Sequence, residues 1–287
     1  MRYPIVLAHG IARFDVLLRD LLKDEDMSDD RTHYFRRIRS TLQAAGFPTY
    51  HSSVPWAEGV AVRSRALRAN VEQVLAATGS RKVHIIGHSM GGLDARHMLF
   101  DGRADGIHER VASLTTIGTP HWGTSFADWG ITSETLLLAI LSTLGITALD
   151  GFRDLTTKAC AAFNAQAESF ELRCGVTFRA YAGAQQLPHV FEPLKLSWHV
   201  VQHHEGANDG LVPVSSARWR DEFAVPAVID ADHLNEVGWW EPNDLGFGID
   251  FAKFPPRPRL AELPAKLGER IRGLYLQIAR DLDKAFP

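Results

Sequence analysis

Lys82-Val83-His84-Ile85-Ile86-Gly87-His88-Ser89-Met90-Gly91-Gly92 is the stretch on which the fold turns. Val83 to Ile86 is a short apolar, β-branched run, the signature of a buried strand. A helix is predicted to start after Ser89 and to run to about Phe100. Between the two, Gly87-His88-Ser89-Met90-Gly91 fits G-x-S-x-G in the strand-turn-helix context that the motif requires. So tight a turn forces Ser89 into a strained backbone conformation. Glycines at 87 and 91 let neighbouring chain approach without Cβ clashes. The hydroxyl then stands clear of the sheet at a helix N-terminus, where developing negative charge is favoured. Ser89 is the predicted nucleophile.

Outward from this turn the chain keeps one rhythm. Pro4 to Ala8 reads as a first strand covered on both faces and ends at His9-Gly10. A helix marked by Phe35, Ile38, Leu42 and Ala45 closes at Gly46-Phe47-Pro48. Thr49 to Val54 reads as the next strand. A helix with Leu67, Val71, Val74 and Leu75 follows and stops at Gly79. Val111 to Ile117 and Val176 to Ala182 are further strands. Leu267, Ile271, Leu274, Ile278 and Leu282 mark an amphipathic C-terminal helix. Strands alternating with helices imply parallel βαβ units and an α/β fold. Residues 124–165 break the rhythm with the apolar run Leu136 to Leu141 and with Leu144. The expected organisation is one domain over 1–287 with a helical insertion at about 124–165.

A serine needs a base to take its proton. On such a fold the chain order is Ser, then Asp or Glu, then His. After His204 the sequence holds one histidine, His233. The acid should precede it in a loop. Asp209, in Asn208-Asp209-Gly210-Leu211-Val212, is favoured, with Asp230 and Asp232 as alternatives too close to His233 to orient its ring readily. An oxyanion hole would use the amide after the nucleophile, Met90, and one from the loop after the first strand, Ile11. His9 is expected to support that loop.

Composition excludes other classes. With 31 basic and 34 acidic residues the net charge is −3, which gives no electrostatic case for nucleic acid. No G-x-G-x-x-G or Walker motif argues for a nucleotide. Cys160 and Cys174 are either one bridge or two reduced thiols. No run approaches the roughly 18 apolar residues of a membrane span. Met1-Arg2-Tyr3 enters a strand at once, without room for a signal peptide. The compartment therefore stays open: cytoplasmic, outside the cell by a route that needs no cleavable signal in this chain, or a chain already trimmed of its leader. His203-His204-Glu205 lacks a spaced metal partner, Pro255 to Arg259 reads as a rigid connector, and Asp94 reads as a structural hydrogen-bonding residue. Trp239-Trp240 reads equally as lining for an opening or as packing.

The chain resembles the bacterial triacylglycerol lipases of the α/β-hydrolase fold. The shared segments are Tyr3 to Gly10, Gly87 to Gly92, Gly118-Thr119-Pro120-His121-Trp122-Gly123, Asn208 to Val212, and Asp232-His233-Leu234-Asn235-Glu236-Val237, in the family's order. The resemblance implies a mostly parallel sheet flanked by helices and beginning at the family's third strand. It implies Ser89, Asp209 and His233 as a catalytic triad, with the Ile11 and Met90 amides as oxyanion donors. It also implies a lid at 124–165 that meets a lipid interface. The expected activity is hydrolysis of an ester or acylglycerol through an acyl-enzyme; a short-chain esterase or an acyltransferase would use the same triad. Many secreted members bind calcium through an aspartate two residues after the histidine and a carboxylate about 20 residues before the triad acid. This chain has Asn235 and the acid-free stretch Gln186-Leu187-Pro188-His189-Val190. Calcium favours several charged oxygens, so neither metal nor cofactor is expected, and activity should be indifferent to chelator. The family's disulfide brackets the acid, which Cys160 and Cys174 do not.

Overall fold

The computed structural model describes residues 2–11, 30–31, 33–55, 58–132, 150–239 and 268–287. Six parallel strands form one sheet in the order β2-β1-β3-β4-β5-β6. They are β1 (Ile5–Ala8), β2 (Thr49–His51), β3 (Val83–His88), β4 (Val111–Ile117), β5 (Thr177–Ala184) and β6 (Ala224–Asp230). The helices are α1 (Ile38–Ala44), α2 (Val60–Thr78), α3 (Met90–Asp101), α4 (Ser125–Thr132), α5 (Asp150–Arg153), α6 (Thr157–Glu171), α7 (Lys195–His204), α8 (Val214–Ala217) and α9 (Glu269–Ala285). The predicted helix at Leu136 to Leu144, the predicted connector at Pro255 to Arg259 and Trp240 lie outside the described residues.

Strand side chains alternate between the two faces, and β1 shows the consequence. Ile5 and Leu7 join Ile38 and Leu42 of α1 and Ile271, Tyr275, Ile278 and Leu282 of α9 in one core. Val6 and Ala8 join Leu67, Val71 and Leu75 of α2 and Met98 and Leu99 of α3 in the other. All four β1 residues are buried, as a strand covered on both faces requires. β2 is shorter than the predicted Thr49–Val54: it pairs with β1 only over Thr49–His51 and then leaves the sheet edge toward Pro55. β6 was not among the predicted strands. Pro226 interrupts its apolar run, and a proline is tolerated here because β6 is an edge strand.

A buried cluster fastens α3 and α6 to the loop after β4. Arg96 donates to Glu171 (2.8 Å) and Asn164 (2.6 Å), and its guanidinium lies over Trp219 at 4.2 Å. His121 stacks on the same Trp219 (4.3 Å, 10°) and meets Thr116 Oγ1 at 2.9 Å. This is where His121 of the Gly118 to Gly123 segment is used: it pins the loop to the scaffold. Cys160 and Cys174 are two free thiols, and burial pushes the Cys160 thiol up to about 12. Among the described residues no helix is long and apolar enough to cross a membrane.

The crossing of α3 over β1 is close enough to require a glycine. A Cβ on Gly91 would overlap the Ala8 carbonyl oxygen and come within 2.8 Å of the His9 oxygen. Both obstacles are backbone oxygens, which cannot rotate away as a side chain can. Gly91→Ala is therefore expected to cost at least about 1–3 kcal/mol, read as a lower denaturant midpoint. A wild-type midpoint would refute this account of the crossing.

Candidate active site

After β1 the chain turns toward β2, and after β3 it turns toward β4, on opposite sides of the sheet. The loops that follow β1 and β3 therefore diverge. In open parallel sheets the crevice at such a switch point, outside the carboxyl ends of the strands, is where ligands bind. His9-Gly10-Ile11 and Ser89 both stand there.

Ser89 joins β3 to α3 with φ 55° and ψ −133°, as the tight turn demands. Its N–H donates to Ile117 O (3.0 Å), and its carbonyl accepts from Thr119 Oγ1 (2.8 Å). The backbone is thus held from β4 while the side chain faces the β1 loop. Gly10 is the neighbour there: a Cβ on it would lie 2.7 Å from Ser89 Cβ and 3.1 Å from Ser89 Oγ. Met90 is the first residue of α3, so its N–H has no acceptor within the helix.

His233 and Asp209 meet at the same edge. His233 Nδ1–H donates to Asp209 Oδ2 at 2.7 Å, and the His233 N–H donates to Asp209 O at 2.8 Å. Asp209 Oδ1 accepts the N–H groups of Leu211 (2.8 Å) and Val212 (2.7 Å), which locks the carboxylate plane. The His233 ring packs at 4.5 Å against His88, the residue before Ser89. Of the alternative acids, Asp232 turns away from the ring and accepts backbone N–H groups, and Asp230 is exposed.

The residues of the predicted oxyanion loop are braced from behind. His9 Nδ1–H donates to Gly10 O at 2.9 Å. In a trans peptide the C=O and the following N–H point opposite ways, so this contact also fixes where the Ile11 N–H points. Arg63 Nη2 donates to His9 O (2.8 Å) and to Asp94 Oδ2 (2.7 Å), and Arg63 Nη1 donates to Pro55 O (2.8 Å). Arg63 and Asp94 are fully buried. Asp94 is thus the structural residue that the sequence suggested; burial pushes it up to about 6 against the pull of Arg63.

Behind the histidine lies a polar chain that sequence reasoning missed. Tyr34 OH meets His88 Nδ1 at 2.7 Å, and His88 Nε2 meets Glu236 Oε2 at 3.1 Å. Glu236 Oε2 is 3.7 Å from His233 Nδ1. Burial holds His88 well below the usual histidine range, helped by the neighbouring His233. Burial and the nearby Asp209 and Asp232 carboxylates hold Glu236 well above the usual carboxylate range. Both the loss of water and the like charge on Asp209 disfavour the charged form of Glu236. His88 and Glu236 sit inside segments noted in the sequence, but their contact spans 148 residues and nothing local announces it.

Ligand atoms of His88, His233 and Glu236 lie within 4.8 Å of one another and in principle suit a metal. His88 Nδ1 and Nε2, His233 Nδ1 and Glu236 Oε2 have the hydrogen-bond partners given above. The calcium-type arrangement does not fit either. Asn235 Oδ1 accepts the Asp232 N–H, and residues 186–190 bring no carboxylate. His203 and His204 end α7, where Glu205 Oε2 accepts the Ser125 N–H. Trp239 is buried and donates to Tyr34 O (3.1 Å), so it packs rather than lines an opening.

An apolar cluster flanks the Ser89 turn. Met90 and Leu93 of α3 pack with Phe126, Phe152, Leu155 and Val201, and Ile11, Trp129, Val200 and Leu211 form its partly exposed rim.

The α/β-hydrolase fold family matches residues 3–161. A triacylglycerol lipase of Pseudarthrobacter phenanthrenivorans is 36% identical over 186 residues, covering 57% of this chain and 53% of that protein. Triacylglycerol lipase 2 of Saccharomyces cerevisiae is 28% identical over 315 residues, covering 97% of this chain and 90% of that protein. Among solved structures, the mature lipase of Bacillus licheniformis superposes with a TM-score of 0.63 at 22% identity, covering 81% of this chain and 85% of that one. At that identity the likeness speaks to the fold. The chain spans about half the length of the Pseudarthrobacter phenanthrenivorans lipase and of a Burkholderia plantarii lipase, 53% and 47%. With the serine turn at the switch point of a six-stranded parallel sheet, and the family match extending over more than half of its residues, the chain belongs to the α/β-hydrolase fold family.

Proposed function

We propose that the chain is a serine carboxylic-ester hydrolase of the triacylglycerol lipase kind. The observation that carries this reading is the 2.7 Å contact from His233 Nδ1 to Asp209 Oδ2, with the His233 ring against His88 beside the strained Ser89 turn. Asp209 fixes the tautomer that leaves His233 Nε2 as the base. Ser89 Oγ attacks the acyl carbonyl carbon and His233 takes its proton. The N–H groups of Met90 and Ile11 receive the developing oxyanion. His233 then protonates the departing alcohol, leaving an acyl-enzyme. Water attacks by the same route, the acid departs, and Ser89 is restored.

Apolar acyl chains suit the rim formed by Ile11, Trp129, Val200 and Leu211, which adjoins both oxyanion donors. The proposed lid is the segment at about 124–165, of which residues 133–149 lie outside the described residues. Triacylglycerols are the substrate class in the names of several relatives.

The test is kcat/KM on p-nitrophenyl esters from acetate to palmitate, with Ser89→Ala as control. The expected optimum lies at eight or more carbons. An optimum at two to four carbons would place the enzyme among short-chain esterases, and activity that survived Ser89→Ala would end the serine mechanism altogether.

A further inference from the structure

His233 sits in the loop after β6, which ends in a 3-10 turn at Asn235–Val237. Beside that loop runs the segment holding the 3-10 turns Leu187–His189 and Glu192–Leu194. Two buried side chains join these stretches. Asp232 Oδ1 accepts the N–H groups of Leu234 (2.9 Å) and Asn235 (2.8 Å). Its Oδ2 accepts the Phe191 N–H (2.8 Å). One carboxylate thus closes its own turn and ties it to the neighbouring segment. Asn235 Oδ1 accepts the Asp232 N–H (3.2 Å), and its Nδ2–H donates to Trp239 O (2.5 Å). Both residues are almost wholly removed from solvent.

A divalent cation needs converging oxygens with available lone pairs, several of them charged. Here the oxygens are met by N–H groups, whose positive ends would face any cation. The Trp239 carbonyl is turned toward the Asn235 amide in the same way. We propose that Asp232 and Asn235 form a metal-free latch that positions the His233 loop. The Phe191 N–H and the Asn235 amide supply the positive ends that calcium supplies in related enzymes. Burial pushes Asp232 up to about 7, while the N–H groups of Asn235, Phe191 and Leu234 pull it down. Three converging N–H groups let one buried side chain bridge two segments. Asp232 directly precedes His233 in the chain, so the latch fixes the peptide leading into it while Asp209 holds the ring. Asp232 is therefore a positioning residue.

The test uses the full chain, dialysed against EDTA and then supplied with calcium chloride. Wild-type melting temperature and kcat/KM on a soluble ester are expected to be the same in both states. Asn235→Asp sets an oxygen against Trp239 O. This variant should melt lower in EDTA and recover in calcium. Asp232→Ala should lower kcat about tenfold with KM little changed and with no rescue by calcium. Asp232→Asn, which keeps one oxygen for the turn but turns an NH2 group toward Phe191, should fall between.

Wild-type protein that loses stability in EDTA and regains it in calcium would overturn the latch. Indifference of Asn235→Asp to calcium would overturn the role given to the amide. A destabilised Asp232→Ala with wild-type kcat would overturn positioning. The kinetic arm rests on His233 as the base, whereas the thermal arms stand without it, so the two ideas fail separately.

Discussion

Ser89→Gly is expected to remove nearly all turnover and to raise the melting temperature at the same time. The first half follows from the proposed chemistry. Without the hydroxyl no acyl-enzyme forms, and kcat should fall by roughly 10⁴ or more, leaving what binding and the oxyanion donors supply. The second half follows from φ 55° and ψ −133°. A side chain in so sparsely populated a region costs about 1–3 kcal/mol, and glycine removes the clash. The entropy of ordering glycine returns about 0.5–1 kcal/mol of that. A net gain near 1 kcal/mol would raise the melting temperature by about 2–4 °C. Ser89→Ala should lose the same activity without the thermal gain, because its Cβ keeps the clash. Calorimetry of both variants beside esterase assays separates the two effects. A glycine variant that melts below the alanine variant would show that the turn is not strained.

That coupling explains why the turn was legible in sequence while its support was not. Gly87, Ser89 and Gly91 announce themselves because one backbone geometry demands those residue types within five positions. Short runs rich in apolar and β-branched residues did the same for β1, β3 and β4, which are buried on both faces, and 3–4 spacing of apolar residues did it for α9. Asp209 and His233 could be named by order along the chain and by the scarcity of histidines after His204. The bracing network carries no such signature. Arg63 lies in the first turn of α2, 31 residues from Asp94 and 54 from His9, and reads as an ordinary charged helix residue. Tyr34, His88 and Glu236 come from three distant segments that meet only when the sheet is assembled. β6 escaped for a related reason: its proline is informative only once one knows that the strand lies at the edge.

Arg63 offers the second large effect, because one side chain serves both the core and the β1 loop. Arg63→Met leaves Asp94 buried without its partner, a situation that costs about 3–5 kcal/mol and at 2–4 °C per kcal/mol lowers melting by about 10 °C. The loss should depend on pH in a definite direction. Burial already raises Asp94 to about 6, and removing Arg63 raises it further. A carboxyl whose folded pKa lies above its unfolded value is neutral and harmless below the unfolded value. It costs stability as pH rises toward the folded one. The variant should therefore be more damaged at pH 8 than at pH 5. Turnover should fall separately, since His9 O loses its donor and the Gly10–Ile11 peptide loses its bracing; one misaligned oxyanion donor is worth about 10²–10³ in kcat. The double variant Arg63→Met/Asp94→Leu divides these causes. Replacing both charges with apolar groups restores much of the stability, but neither new side chain can donate to His9 O. It should melt close to wild type while its kcat stays low and its KM stays near normal. A double variant that regained both stability and turnover would reduce Arg63 to a core residue. One that regained only stability would tie the buried pair to the alignment of the oxyanion loop.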